Sequence, residues 1–518
     1  MLVDPTQDSR RFRTGIQSWQ PSPGSRSANV QPSGSESADV QPAGIHFVMV
    51  ETALVSFANQ AAFKCSGSHN HPGGNMQPRT LTYITAVALF AALAVPVRLA
   101  AQAQQKNTQP PTYYIINLGQ PLGSLTEPVG INNTGWITGA SALTGATAIH
   151  AVAWVGTPLD LGTLGGPNSS VNWPIHATTG EIVGISENGQ VNPYNEAFSC
   201  PNFFLGIPDG LVCRGFAWQN GVMTELPTLG GPDGYAASVN NKGEIVGWAE
   251  NTFHDPTCVS TGTFPQVFQF EAVVWGPKIG QMTELKPFGT DPDSAATAIN
   301  DKGQVAGISG LCSVAVGGAS AEHALLWEKG QTVPINLGNI GGGAWNTPTA
   351  INNRGVVVGF GNTSGDQNAG LSPAGFIWTQ GTGMVEILPV SGDTNNIAFD
   401  INNNNQVVGQ SAGGLEGARA FLYEGGTSYD LNALALPTSL NLVLAQGIND
   451  SGEISGTAID QNGNQVGFLG VPVTNGSGTL PLETKVPAKV QLSAEEVRQL
   501  MLKLPGLPGF LFRAMGSK

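Results

Sequence analysis

A nine-residue pattern, Ile-Asn-x-x-Gly-x-x-x-Gly, recurs seven times and constrains the fold of this chain more than any other feature. It first reads Ile131-Asn132-Asn-Thr-Gly135-Trp-Ile-Thr-Gly139, and later copies end at Gly184, Gly247, Gly307, Gly359, Gly409 and Gly456. Self-similarity at a period of tens of residues is the signature of a repeat architecture. The final Gly is present in every copy. The Gly four residues before it is Gly135, Gly180, Gly243, Gly303, Gly355 and Gly452, with Asn405 in the sixth copy. After Gly, Asn best tolerates the left-handed region. The substitution therefore predicts a turn with φ > 0, not a glycine that contacts a ligand.

Each copy reads as two hairpins. Small and β-branched residues lead into the Asn-x-x-Gly turn, as in Ala295-Ala-Thr-Ala-Ile299, and Val-rich residues lead out, as in Val356-Val-Val358. A second hairpin follows, whose first strand ends on Trp154, Trp218, Trp275, Trp327, Trp378 or Tyr423 and whose second carries Leu-x-x-Leu-Gly-Gly, as in Leu161 to Gly166 and Leu226 to Gly231. Successive final glycines lie 45 (Gly139 to Gly184) to 63 (Gly184 to Gly247) residues apart. Four strands at that period predict an all-β fold, a seven-bladed β-propeller of four-stranded blades. An open repeat array or β-solenoid is the alternative, although solenoid coils are usually about half as long or shorter. The seventh copy stops after its third strand, near Val466-Gly-Phe-Leu469, while a lone fourth-type strand, Tyr113 to Leu118, precedes the first copy. The orphan is expected to complete the last blade, close the ring and remove an unpaired edge.

The units resemble the HAF family of bacterial extracellular repeats, named for a His-Ala-Phe triplet before the aromatic. The motif stands here as His150-Ala-Val-Ala-Trp154 and His323-Ala-Leu-Leu-Trp327, and more loosely as Arg214-Gly-Phe-Ala-Trp218 and Arg419-Ala-Phe-Leu-Tyr423. The resemblance covers roughly residues 113–470 and implies an exported repeat protein; it assigns no chemistry. The second copy departs from it, with His176-Ala177 in place of Ile-Asn.

Export is also expected from residues 76–103. Met76-Gln-Pro-Arg79 is a short basic segment, Leu81 to Val97 is apolar, and Ala101-Gln-Ala103 is a small-x-small cleavage pattern, with Gln104 as the first mature residue. The mature protein is then extracellular or secreted, or periplasmic, with no membrane span. Residues 1–75, rich in Ser, Gly and Pro with an echo of Ser27-Ala-Asn-Val-Gln-Pro at Ser37, read as a disordered or mis-called upstream segment. Residues 104–475 form the propeller, and 476–518 a linker and short helix that opens on Ser493-Ala-Glu-Glu496. The net charge of −14 removes the electrostatic footprint of a nucleic-acid binder.

No nucleophile elbow, metalloprotease motif or pair of general acid and base stands out, so the reading leans away from an enzyme and names no catalytic residue or metal. His150 and His323 occupy equivalent positions in different blades and are expected to serve structure. The repeated Trp residues are expected to pack between blades. Trp173 and Trp345 lie outside that position and are candidates for exposed binding aromatics. Asp233, Asp291, Asp293 and Asp393 sit in the connections between blades. They are candidate ligand contacts and could hold calcium, the one cofactor such loops suit, but they match no known calcium pattern; solvated turn acids are the commoner outcome. Long insertions between second and third strands, about 187–214, 251–269 and 310–321, fall on one face and carry Cys200, Cys213, Cys258 and Cys312. Cys65 lies upstream of the expected cleavage, so the mature part keeps these four; an even count in an exported chain suggests disulfides, and Cys200–Cys213 with Cys258–Cys312 is one of three pairings. The expected function is an exported binding or scaffold propeller that recognises a carbohydrate, a cell-surface component or a protein through its loop-rich face. An extracellular polysaccharide lyase or hydrolase with its site at the central pore, or a structural matrix protein, are the alternatives. Two or more carboxylates or histidines within reach of each other in the pore would favour the enzyme.

Overall fold

The computed structural model describes residues 110–473, apart from 124, 146–147, 195, 197–203, 205–209, 259–265, 279, 313–320, 365–372 and 415–416. The upstream segment, the export signal, Cys200 and the C-terminal helix expected from the sequence lie outside the described residues. The described chain is a seven-bladed β-propeller. Seven four-stranded antiparallel sheets form the blades, six of them in simple sequence order from first strand to fourth. The first strands are Thr126–Ile131, Ser169–Ser170, Gly234–Val239, Asp293–Ile299, Gly341–Ile351, Asn395–Ile401 and Asn441–Ile448. They form the inner ring, where the first strands of adjacent blades contact one another from blade three round to blade one.

The seventh blade is composite. Its outer strand is Tyr113–Gly119, which runs antiparallel to Gln465–Pro472 with Tyr113 opposite Pro472 and Asn117 opposite Phe468. This closure by the N-terminal strand distinguishes a ring from an open array or solenoid, whose ends do not meet.

The turn position of the repeat behaves as its one exception predicts. Asn405 has φ +62°, beside +71° to +83° for the six glycines. The glycine present in every copy has a different cause. The first strand bulges opposite it, as between Ala296 and Ala298 across from Gly307 and between Pro348 and Ala350 across from Gly359. The bulge drives a carbonyl against the second strand: a methyl at Gly247 would collide with the oxygen of Tyr235, and one at Gly359 with that of Thr347.

Trp154, Trp218, Trp275, Trp327 and Trp378 are buried. Trp275 donates its indole N–H to Pro227 O of the preceding blade at 2.8 Å, and Trp327 to Lys286 O at 3.0 Å, so these rings join blades. The Leu-x-x-Leu-Gly-Gly segment differs from expectation. The fourth strands end before it, at Asp160 and Glu225 in blades one and two. Gly162 and Gly165, with φ of +77° and +119°, break the strand while Leu161 and Leu226 turn into the core.

Candidate functional site

Because strands alternate in direction, the connections between first and second strands leave one face of the ring, and those between second and third strands and between blades leave the other. The first face is built from the repeated Ile-Asn. The side-chain amide of Asn300 donates to Asn352 O at 2.9 Å, Asn352 to Asn402 O at 3.0 Å, Asn402 to Asn449 O at 2.9 Å, and Asn449 onward to Asn132 O at 3.1 Å. The next residue repeats the arrangement outside: Asp301 N–H donates to Asn353 Oδ1, Asn353 N–H to Asn403 Oδ1, and Asn403 N–H to Asp450 Oδ1, each at 2.8 Å. Burial raises the carboxyls of Asp301 and Asp450, but the amide donors around them outweigh it and hold both below the usual carboxylate range. The recurring Asn therefore clamps neighbouring blades around the channel mouth.

Two departures from the repeat meet inside this ring. His176 stands where other copies have Ile or Val, and Asp400 where they have Gly, Ala, Ser or Ile. They come from blades two and six, and His176 Nε2 lies 2.8 Å from Asp400 Oδ1. Asp400 is buried and held by Ile401 N–H and Ile448 N–H, while the imidazole is 37% exposed. Burial lowers the imidazole pKa, but Asp400, with Asp450 and Asp301 behind it, more than reverses this and holds it above 6.5. The cavity here is lined by Asn133, Asn241, Asn353 and Asn403 around His176.

The opposite end of the axis is filled. One apolar cluster takes residues from blades two to seven, among them Tyr235, Phe360, Phe399 and Val443. Trp173 and Trp345 belong to it, 3% and 6% exposed, which corrects their reading as exposed binding aromatics. Trp345 stands within the inner strand Gly341–Ile351 and Trp173 just after Ser169–Ser170, so both rings enter the packed centre; Trp345 stands edge-on to Phe360 with centroids 5.3 Å apart.

The four aspartates do not converge either, and none is a solvated turn acid. Asp291 accepts from His323 Nδ1 at 2.8 Å and Ser309 Oγ at 2.5 Å. Asp393 receives Arg419 through two nitrogens at 2.9 Å, and Ser411. In each case the first residue of the His-Ala-Phe-like motif pairs with an acid of the blade connection. His150 pairs instead with Asp160 of its own blade at 2.9 Å. Asp233 and Asp293 are fully buried and accept Cys213 N–H and Phe270 N–H of the preceding blade. Burial and the adjoining carboxyl of Asp255 push Asp293 up to about 10, and burial pushes Glu271 up to about 8.

The loop-rich face of blades two to four is joined into one body. Cys258 and Cys312 form a disulfide between the insertions of blades three and four, with Cα atoms 4.9 Å apart, and Cys213 is also disulfide-bonded. Glu196 of the blade-two insertion accepts Val267 N–H and Phe268 N–H of the blade-three insertion at 2.8 and 2.9 Å. On this body Tyr194 stands edge-on to Phe268, centroids 4.6 Å apart, and beside exposed His254 at 6.5 Å; Phe253 next to it is 68% exposed. Sequence reasoning passed over these three residues. Their signal was an aromatic type inside an insertion, not at a repeat position.

A family described as "Protein of unknown function (DUF3466)" matches residues 289–499. No curated protein matches the sequence. Solved structures of similar fold include "YCF48 bound to D1 peptide", 11% identical over 71% of this chain and 99% of that one with a TM-score of 0.35. A gluconolactonase from Xanthomonas campestris is 7% identical over 70% of this chain and 95% of that one, with a TM-score of 0.31. TolB from Acinetobacter baumannii is 11% identical over 68% and 64%, with a TM-score of 0.30. These likenesses concern the fold. Among the described residues no helix is long and apolar enough to cross a membrane.

Proposed function

We propose that this chain is an exported binding propeller that recognises an extracellular macromolecule, a cell-surface glycan or protein, through the insertions of blades two to four. The observation that carries the reading is the cross-linked body on that face, which presents Tyr194, Phe253 and His254 to solvent on a rigid base. Binding surfaces tend to lie on such loops, and amphipathic aromatics supply contact area at little entropic loss. The amides of the opposite face, by contrast, are spent on one another. The cleavage pattern at Ala101-Gln-Ala103 and the likeness of the units to HAF repeats support export, and N-terminal sequencing of the secreted protein should begin near Gln104. Binding of the exported protein to a glycan array and to cell surfaces should drop at least tenfold in Tyr194→Ala/Phe253→Ala with the melting temperature unchanged. Undiminished binding by that variant removes the assignment of the face.

The His176–Asp400 pair favours a second reading, an extracellular polysaccharide lyase or hydrolase at the channel mouth. A buried carboxylate that orients a half-exposed imidazole is the arrangement of a general base. Turnover of an extracellular polysaccharide that disappears in His176→Gln, with glycan binding retained, would select this reading over the first.

A further inference from the structure

Between blades two and three, three acidic side chains meet away from solvent. Glu196 comes from the insertion of blade two, Asp233 from the blade connection, and Glu250 from the second strand of blade three, Ile245–His254. The first and third accept only neutral donors, Glu196 as described and Glu250 from Asp233 N–H at 2.8 Å and Gln266 Nε2 at 2.7 Å. Asp233 takes Cys213 N–H and Asn192 Nδ2, each at 2.8 Å. All three residues are buried, and one carboxylate oxygen from each lies within 4.8 Å of the others. Among the described residues no cationic side chain pairs with them; Arg214, whose field reaches Asp233, is engaged with Glu225. Two buried oxygens of this group and its donors have no hydrogen-bond partner. Glu196 Oε2 is one. The other is Oε1 of Gln266, a neutral side chain more than nine-tenths buried whose amide nitrogen is fixed on Glu250.

The repeat supplies an internal control. One blade earlier, Asn168 does the work of Asp233. Its Oδ1 accepts Ile149 N–H, five residues before Trp154, as Asp233 accepts Cys213 N–H, five before Trp218. Glu187 accepts from the backbone and side chain of Asn168 as Glu250 accepts from the backbone of Asp233. A neutral amide thus meets the structural need of this position. At the second junction it is replaced by a second carboxylate, and Glu196 brings a third. Three buried charges at this spacing are held only if protons or a cation neutralise them.

We propose that Glu196, Asp233, Glu250 and Gln266 bind one calcium ion, which fastens the insertions of blades two and three to the ring. An all-oxygen set of three carboxylates and an amide carbonyl suits a hard cation. An upper separation of 4.8 Å equals the span between opposite ligands about 2.4 Å from a calcium centre. Magnesium prefers a tighter shell and keeps several waters, which a closed pocket does not admit. Without the ion, burial raises all three carboxyls; the neighbouring carboxylates add to the rise at Asp233 and Glu250, while His254 offsets part of it at Glu196, so calcium must displace protons to enter.

The test is calorimetric titration of calcium chloride into the exported protein after chelator treatment, with melting temperature followed in parallel. One ion per chain, a calcium-dependent rise in melting temperature, and heats that vary with the buffer's ionisation enthalpy because protons are released are expected. Glu196→Gln and Asp233→Asn/Glu250→Gln should lose the response, whereas Asp291→Asn, whose carboxylate is committed to His323 and Ser309, should keep it. If the acidic variants fail to fold, the natural protein still decides: its affinity should fall at least tenfold from pH 7.5 to pH 5. No binding at about 10 mM calcium, ten times the weakest affinity of extracellular calcium modules (about 10⁻³ M), would overturn the site. So would pH-independent binding, or binding retained by Glu196→Gln; the cluster would then be a store of protons.

Discussion

Removing the closing strand should unfasten the propeller. Tyr113 is fully buried against Leu422, Leu431 and Phe468, and its carbonyl accepts Leu436 N–H at 2.8 Å. Truncating a buried aromatic to Ala costs about 3–5 kcal/mol. A folded propeller of about 360 residues, Tyr113 to Pro472, unfolds with about 2.1 cal/mol/K per residue, so Tyr113→Ala should lower the melting temperature by about 5 °C. Deleting residues 104–119 also removes the ladder to Gln465–Pro472, where each hydrogen bond is worth about 1 kcal/mol net. The total is then comparable with the whole stability of many folded proteins, about 5–15 kcal/mol. The truncated chain should melt without a sharp transition and associate through its bared edge, as read by calorimetry and size-exclusion chromatography. The Tyr113 hydroxyl has no hydrogen-bond partner, so Tyr113→Phe should leave stability unchanged or raise it by about 1 kcal/mol. A truncated protein that stays monomeric with the parental melting temperature would refute the clasp.

Other expectations follow from single positions. Asn405→Gly relieves the backbone but removes the acceptor of the Asn352 amide and should change the melting temperature little, whereas Asn405→Val loses the same bond and should cost about 1–2 kcal/mol more, because φ of +62° is costly for a β-branched residue. Gly359→Ala should cost about 3 kcal/mol or more in urea unfolding, against little for Gly381→Ala, where a methyl meets open space. Cys258→Ala/Cys312→Ala opens a link between residues 54 apart and should lose about 4 kcal/mol by loop-closure entropy. Asp293 and Glu271 keep their protons in the fold well above their unfolded values of 3.8 and 4.5, so stability should be full at low pH and fall as pH rises toward about 8 for Glu271 and about 10 for Asp293. The slope is at most about 1.4 kcal/mol per pH unit per group, and Asp293→Asn should flatten its share in denaturation curves measured from pH 5 to 9.

The sequence reveals what recurs or what can be counted. Asn405 in a glycine column exposes the turn conformation, and one missing strand against one spare strand exposes the closure, because both are local or arithmetic. Partners are another matter. Nothing in the spacing says that the amide of Asn300 reaches Asn352, or that His176 meets Asp400 across 224 residues of chain. Trp173 and Trp345 fail as surface candidates because they stand in or beside the innermost strands and pack into the central cluster, a placement that hydropathy does not encode. Asp233 is visible as a loop acid, but its company is not: Glu196 and Glu250 reach it from two other elements. The strand bulge that demands Gly139, Gly307 and their equivalents is likewise a property of pairing, legible only as an invariant column within the chain.

The amide ring carries a consequence for how such a molecule can grow. These links run in one rotational sense, each Asn amide donating a hydrogen bond to a backbone carbonyl of the blade ahead. A duplicated unit would arrive with one donor and one acceptor and slot into the circle without stranding a polar group. Blade number in this lineage is therefore free of hydrogen-bond arithmetic and governed by wedge angle and side-chain volume at the axis. The break is at Ala177, which accepts from Asn132 but has no amide to pass on; there Thr178 instead donates to Asn241 Oδ1. A repeat that has stopped relaying is one released from the pattern its siblings must keep, and it is the one that bears His176.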